Sequence, residues 1–327
     1  MPTIKDVAAM AGVSVATVSR YINESGYVGE NTKEKIAKAV EVLDYTPNEV
    51  ARSLYKKTSK LVGLLVPRID NPYFNNIITG VEHVCNDRGY HLIISNVSKN
   101  EDEKKYIESF MTNNVAGIIS AIGTSDIYEK IKCPIVGVDR ASSSFDHTVV
   151  YDEENGGKMA AELIVEGNAK KVLIASEVKE IKTSMERLKG TKEVLEINGV
   201  DYDVYYTKGS DFESAMALVD YIDESDKKYD SIIACNDLFA LCVALHMART
   251  GVKVPEDVQI VGYDDTIFSK LSNPQLSTVR HDGVLLGEKS AEMLIDMIEK
   301  KEIKESKIQL FSSLVKNGST RSEKHSF

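Results

Sequence analysis

Thr3-Ile4-Lys5-Asp6-Val7-Ala8-Ala9-Met10-Ala11-Gly12-Val13-Ser14-Val15-Ala16-Thr17-Val18-Ser19-Arg20-Tyr21-Ile22 opens the chain as two short amphipathic segments around a glycine. Ile4, Val7, Ala8 and Ala11 fall at i, i+3, i+4 and i+7, the spacing that lines apolar groups along one face of a helix. Thr3 with Asp6 three residues later reads as an N-cap pair. Gly12 supplies the left-handed backbone that ends a helix, Val13 plugs the corner, and Ser14 caps a second helix. Val18 and Ile22 sit one turn apart and face inward, which leaves Val15, Ala16, Thr17, Ser19 and Arg20 outside. Short apolar groups and hydroxyls beside one long guanidinium suit a helix in a DNA major groove. Methyl groups can touch thymine, hydroxyls can reach phosphate, and arginine can pair with guanine. On spacing alone, a small hairpin that merely packs has the same pattern.

Working outward, Ile36, Ala39, Val40 and Leu43 repeat at helical spacing, with Asn31 and Glu34 as a capping box. Pro47 in Tyr45-Thr46-Pro47-Asn48 breaks that helix and starts a further short one over 48–55, ahead of the basic linker Lys56-Lys57-Thr58-Ser59-Lys60. The ordered positions Thr3-Ile4-Lys5-Asp6-Val7-Ala8, Ala11-Gly12-Val13-Ser14, Thr17-Val18-Ser19-Arg20 and Asn23 resemble the signature of the lactose-repressor (LacI/GalR) family. Tyr45-Thr46-Pro47-Asn48 with Ala51-Arg52-Ser53-Leu54 is similar to that family's hinge helix. The resemblance implies an all-α helix-turn-helix head over 1–46, a hinge helix and linker over 47–60, and a two-lobed effector-binding and dimerisation body over 61–327. That body would be α/β with parallel sheets, like a type I periplasmic binding protein. It also implies DNA contacts at Thr3, Ser14, Val15, Ala16, Thr17, Ser19, Arg20, Asn23, Asn48, Ala51, Leu54 and Tyr55.

Leu54 matches the leucine that paired hinge helices wedge into the minor groove. The physics of the wedge stands apart from the name: unstacking a base step costs a few kcal/mol and the bend brings more protein to the DNA. An isolated helix of this length is marginal in water, so its folding should be coupled to binding. In the head and hinge, two positions depart from the family pattern. Ala16 is short where some relatives carry a long amide, and Tyr55 stands where a basic or small residue is familiar.

Charge separates head from body. The 327 residues carry a formal net charge of −10, yet residues 1–60 are at +2 and the rest at −12. A slightly basic head on an acidic body suggests separate tasks. With 43% hydrophobic and 28% charged residues, the composition is that of a folded chain of about two domains. No apolar run approaches the ~20 residues of a membrane span, and the start lacks the apolar stretch of a signal peptide, so a cytoplasmic location is expected. Cys85, Cys133, Cys235 and Cys242 form no CxxC pair and read as reduced, buried thiols.

From Leu61 onward, apolar runs of strand length alternate with helical stretches, the pattern of parallel sheets covered on both faces. Nine strands are expected: Leu61–Val66, His91–Ser95, Gly117–Ala121, Ile135–Asp139, Val149–Asp152, Val172–Ala175, Val204–Thr207, Ile232–Asn236 and Gln259–Asp264. Nine strands could form one large sheet or two smaller ones, and the resemblance favours two. Ligands of open α/β sheets sit at the carboxyl ends of strands, and polar groups gather there. Asp70-Asn71-Pro72-Tyr73-Phe74 comes after the first strand, and later strands end in Asp139-Arg140, Asn236-Asp237 and Asp264-Asp265. The resemblance adds Arg187 and Phe212. The expected effector site is therefore Asp70, Asn71, Tyr73, Phe74, Asp139, Arg140, Arg187, Phe212, Asn236 and Asp264. Planar polar side chains beside aromatic faces match a sugar, whose hydroxyls both donate and accept around an apolar ring.

Nucleotide, hydrolase and zinc-protease motifs are missing, and the six histidines lack metal spacing. No catalytic residue, metal or cofactor is expected. The expectation is a homodimeric transcriptional repressor of a carbohydrate-utilisation operon. It would bind near-palindromic operator DNA, away from any membrane, under the control of a small sugar-like effector. The alternative is a regulator answering to a purine or to a phosphoprotein partner.

Overall fold

A computed structural model describes residues 2–23, 25–45, 59–97, 100–122, 128, 131–141, 145–177 and 181–321. The chain divides into two units, Met1–Ser59 and Lys60–Phe327. In the first, helices α1 (Ile4–Ala11), α2 (Val15–Asn23) and α3 (Glu30–Val42) close over Val7, Ala8, Ala11, Val18, Val28, Ile36 and Ala39. The amide and hydroxyl of Thr3 donate to Asp6 Oδ2 at 2.7 and 2.8 Å, which ties down the start of α1. Gly12 ends α1 at φ 66°, a backbone that favours glycine. Ser14 Oγ accepts the Thr17 amide at 3.1 Å and so opens α2. Helix α3 begins one residue before the expected capping box of Asn31 and Glu34. Gly29, in extended backbone, takes the N-cap position, and Glu30 pairs with Lys33 at 2.7 Å in the first turn. The hinge-helix positions Asn48, Ala51, Leu54 and Tyr55 lie outside the described residues.

The second unit alternates strands and helices. In chain order they are β1 (Leu61–Val66), α4 (Pro72–Asp87), β2 (His91–Asn96), α5 (Asn100–Thr112), β3 (Gly117–Ser120), β4 (Ile135–Val138), β5 (Thr148–Tyr151), α6 (Glu153–Glu166), β6 (Lys171–Ser176) and α7 (Lys182–Ile197). There follow β7 (Asp201–Tyr206), α8 (Phe212–Glu224), β8 (Ser231–Ile233), α9 (Asp237–Thr250), β9 (Gln259–Tyr263), α10 (Ile267–Leu271), β10 (Ser277–Arg280), α11 (Gly283–Ile298), β11 (Lys307–Leu310) and β12 (Ser313–Val315).

Two six-stranded sheets result, ordered β11-β5-β4-β3-β1-β2 and β12-β10-β9-β8-β6-β7. Every neighbouring pair is parallel except β10 with β12. Each sheet is the spine of one lobe. The first packs Leu64, Val66, Ile77 and Leu294 on one face and Leu65, Ile107, Phe110 and Ile118 on the other. The second packs Leu173, Phe239, Val243 and Ile260 on one face and Ile164, Val172, Leu195 and Tyr263 on the other. All nine expected strands are present, Leu61–Val66 with its ends as expected and the others with an end shifted by up to three residues, and β10, β11 and β12 add to them.

Three segments carry the chain from one lobe to the other: β5 into α6, β10 into α11, and β11 into β12. They are stitched together. The Asp152 amide donates to the Leu310 carbonyl at 3.0 Å, and the Asp282 amide donates to the Tyr151 hydroxyl at 2.8 Å. His281 Nε2 and Ser312 Oγ share a hydrogen at 2.8 Å.

Helices α6 and α7 cross at a reciprocal pair of glycines. A Cβ on Gly157 would lie 2.0 Å from the Arg187 carbonyl oxygen, and one on Gly190 would lie 2.0 Å from that of Glu154. Both obstacles are backbone, so the helices must separate to admit a methyl group. Gly157→Ala is expected to cost about 1–3 kcal/mol or more through overpacking, read as a lower urea midpoint.

Candidate functional site

The head presents one outward face on α2. Val15, Ala16 and Arg20 are exposed on it, and Thr17 and Ser19 are half-buried. Other predicted contact residues are tied within the head. Thr3 holds Asp6, Ser14 caps α2, and the Asn23 amide donates to the Ser19 carbonyl at 2.9 Å. Those bonds shape the helix ends, while Val15, Ala16 and Arg20 project from the surface.

In the body, the strand ends meet at a cavity of about 220 Å³ between the lobes. Five of the ten predicted effector residues line it: Asp70, Asn71, Phe212, Asn236 and Asp264. Two of these are helix caps. Asn71 Oδ1 accepts the Tyr73 amide at 3.0 Å, and Asn236 Oδ1 accepts the Phe239 amide at 3.1 Å. Their amide nitrogens remain to donate. Tyr73 and Phe74 depart from expectation: at 4% and 2% exposure they pack in the first lobe's core instead of offering open ring faces. The aromatic walls come from Phe212, 61% exposed, and from Phe268. An α-helix starting at Pro72 turns Tyr73 and Phe74 onto its buried side.

Asp139 and Asp264 end β4 and β9 in left-handed backbone, at φ 57° and 95°. Non-glycine residues rarely adopt such angles, and they persist where surrounding structure imposes them. Both side chains are buried, and burial pushes both carboxyls above their ordinary range. Their partners differ. Asp139 accepts the Tyr73 hydroxyl at 3.0 Å, whereas among the described residues nothing donates a hydrogen bond to the Asp264 carboxylate, which faces the cavity.

Arg187 lies behind this wall. Its guanidinium stacks 3.5 Å from the Tyr263 ring centroid and donates to Glu153 Oε2 at 2.9 and 3.1 Å and to the Cys235 carbonyl at 2.9 Å. Burial pushes the Glu153 carboxyl up to about 7, against the pull of Arg187. His281 sits beside them in the second crossing, stacked on Tyr151 with centroids 4.2 Å apart and rings 5° from parallel. Burial holds its imidazole well below the usual range, and Nδ1 has no hydrogen-bond partner among the described residues.

Two arginines reach across the cleft. Arg68, just beyond β1, chelates Asp70 and donates from its third nitrogen to Asp211 Oδ2 at 3.1 Å, and Asp211 is the N-cap of α8 in the other lobe. Arg140, just beyond β4, donates to both carboxylate oxygens of Glu177 at 3.1 and 3.3 Å, from the first lobe to the end of β6 in the second. Arg68, Glu153, Glu177, Asp211 and His281 were not among the predicted site residues. Arg68 and Glu177 also follow strand ends, so the same positional rule could have found them. Among the described residues no group of three His, Cys, Asp or Glu side chains could hold a metal ion, and no helix is long and apolar enough to cross a membrane.

Comparison with known proteins places this geometry. Residues 3–48 match the model of bacterial regulatory proteins of the lacI family, and residues 160–320 match the periplasmic binding protein-like domain. The chain is 38% identical over 326 residues to a ribose operon repressor of Bacillus subtilis (strain 168), covering 99% of this chain and all of that one. It is 31% identical over 333 residues to the HTH-type transcriptional repressor PurR of Vibrio atlanticus (strain LGP32), covering 98% and 99%. A crystal structure of the Lac repressor dimer bound to operator and the anti-inducer ONPF superposes with a TM-score of 0.89 at 25% identity, covering 98% of this chain and 99% of that one. With a similarity that runs the length of the chain and a head and body that each match, this protein belongs to the lacI family of bacterial regulatory proteins, a family of DNA-binding transcriptional repressors.

Proposed function

We propose that this repressor binds a near-palindromic operator as a homodimer and that a small sugar, with D-ribose the first candidate, occupies the interlobe cavity and sets its DNA affinity. The observation that carries the reading is Asp264. A buried carboxylate in left-handed backbone, facing a cavity and without a hydrogen-bond donor among the described residues, suits donors brought by a ligand. Sugar hydroxyls are such donors. A cavity of about 220 Å³ falls below the roughly 300–1,000 Å³ of sites for drug-sized ligands, which suits a monosaccharide. Ribose operon repressors among the relatives, at 32–38% identity, support ribose in particular.

A second reading, a purine, is favoured by the open face of Phe212, on which a base could stack, and by the PurR relatives. Thermal unfolding against D-ribose, other sugars, sugar phosphates and nucleobases separates the two. At a hundred times its Kd, the true effector adds about 2.7 kcal/mol of stability. A rise with a purine nucleobase and none with D-ribose would replace the sugar by the purine.

For the DNA-binding face, two heads are needed because one helix-turn-helix reads too few base pairs to be selective. Arg20→Ala is expected to cost about 1–3 kcal/mol of operator binding and to relax selectivity at one base pair, measured by gel shift on a set of single-base operator variants. Equal weakening on every sequence would make Arg20 a phosphate contact instead. No preference for any symmetric promoter fragment over scrambled DNA would end the operator reading altogether.

A further inference from the structure

We propose that Arg68–Asp211 and Arg140–Glu177 form a two-point electrostatic latch that holds the lobes together whether or not the cavity is occupied, so that effector entry waits on the latch opening. The inference rests on the cleft being the effector site, but not on which effector it takes.

Among the described residues, these are the two hydrogen-bonded ion pairs that join the lobes away from the three crossings. Both run in the same sense, arginine on the first lobe and carboxylate on the second. Each is completed by protein groups alone. Arg68 is oriented by its chelation of Asp70, and Asp211 by capping α8 through the Ser214 amide at 2.8 Å. Glu177 is fixed at its backbone, where its amide donates to Ser184 Oγ at 3.0 Å. Arg68 and Asp211 are therefore pre-positioned, and little side-chain freedom is lost when that pair forms. The crossings tether the lobes, so each pair forms within one molecule at a high effective concentration, and closing one favours the other. The first pair lines the cavity, whereas Arg140 and Glu177 stand outside its lining.

Two conservative changes remove the charge while keeping the shape. Asp211→Asn still supplies an N-cap oxygen to α8, and Glu177→Gln keeps length and polarity. The test uses the full chain carrying both changes, compared with the wild type by small-angle scattering without effector and by stopped-flow binding of D-ribose. At about 0.05 M KCl the latch predicts a larger radius of gyration for the double variant. It also predicts that about 0.5 M KCl, which shortens electrostatic range to a few ångströms, expands the wild type but not the variant. D-ribose association and dissociation should both accelerate in the variant, at least threefold each, because opening limits both directions.

Loss of a direct ligand contact at Asp211 would raise the dissociation rate alone. That pattern, or identical scattering of the two proteins at low salt, overturns the latch. Glu177→Gln by itself, outside the cavity lining, should shift scattering and both rates in the same direction and keeps the test decisive if the double variant folds poorly. If D-ribose does not bind the wild type, the ribose reading fails while the scattering comparison still judges the latch.

Discussion

Asp264→Asn should weaken effector binding about 100-fold and at the same time raise the unfolding midpoint. Both expectations follow from one buried group. Asp264 is 8% exposed, and burial pushes its carboxyl well above the ordinary range, with Arg187 offsetting only part of that effect. An ionised carboxylate without a donor is costly to bury, so replacing it by a neutral amide of the same shape should return about 1–3 kcal/mol. The bond it offers to a ligand hydroxyl is charge-assisted and worth about 1.5–3 kcal/mol, so losing it loses the affinity.

The pH dependence gives the sign a second check. A carboxyl whose folded pKa lies above its unfolded value favours folding below the unfolded pKa, and that advantage is lost as pH rises through the folded one. The stability gain of Asp264→Asn should therefore grow from pH 5 to pH 8. Titration calorimetry with D-ribose and thermal unfolding at two pH values measure both effects. A variant that binds normally would move the effector away from Asp264.

Arg187→Ala is expected to cost about 3–5 kcal/mol of stability at pH 8, because it leaves the buried Glu153 carboxylate without its counter-charge. It also removes the guanidinium from the Tyr263 ring and the donor from the Cys235 carbonyl. The cost should shrink towards pH 6. Glu153 already titrates near 7, and without Arg187 it takes up a proton more readily, trading the stranded charge for a neutral acid. Urea unfolding at pH 6 and pH 8 tests the slope. An equal loss at both would mean that packing, and not charge, is what Arg187 contributes.

Much of this architecture was legible in the residues. The head was readable because its helices are local: a threonine-aspartate pair, a glycine at positive φ and a serine cap fix three helix ends without distant partners. The central strands were readable because strands buried on both faces are continuous apolar runs, as Leu61–Val66 is. The strands β10 and β11 failed that rule for opposite reasons. Ser277-Thr278-Val279 is largely polar yet buried, since Ser277 Oγ pairs with Thr320 Oγ1 at 2.7 Å and Thr278 Oγ1 donates to Asp237 at 2.7 Å. Lys307-Ile308-Gln309-Leu310 is an edge strand with one neighbour and only half-buried apolar positions.

The site followed the same division. Strand-end carboxylates such as Asp139 and Asp264 could be found by position along the chain. The Glu153–Arg187 pair and the stacking of His281 on Tyr151 join residues 34 and 130 positions apart and arise only from the fold.

The three crossings bear on how the protein is made. Because the chain passes between lobes three times, each lobe is assembled from separated stretches, and the last strands of both, β11 and β12, lie within residues 307–315. During synthesis, β5 and β10 must wait with one flank unpaired until those final residues leave the ribosome. Neither half can mature ahead of the other on the nascent chain. A premature stop at position 306 would strip the border strands β11 and β12 from both sheets at once, turning the inner strands β5 and β10 into bare edges.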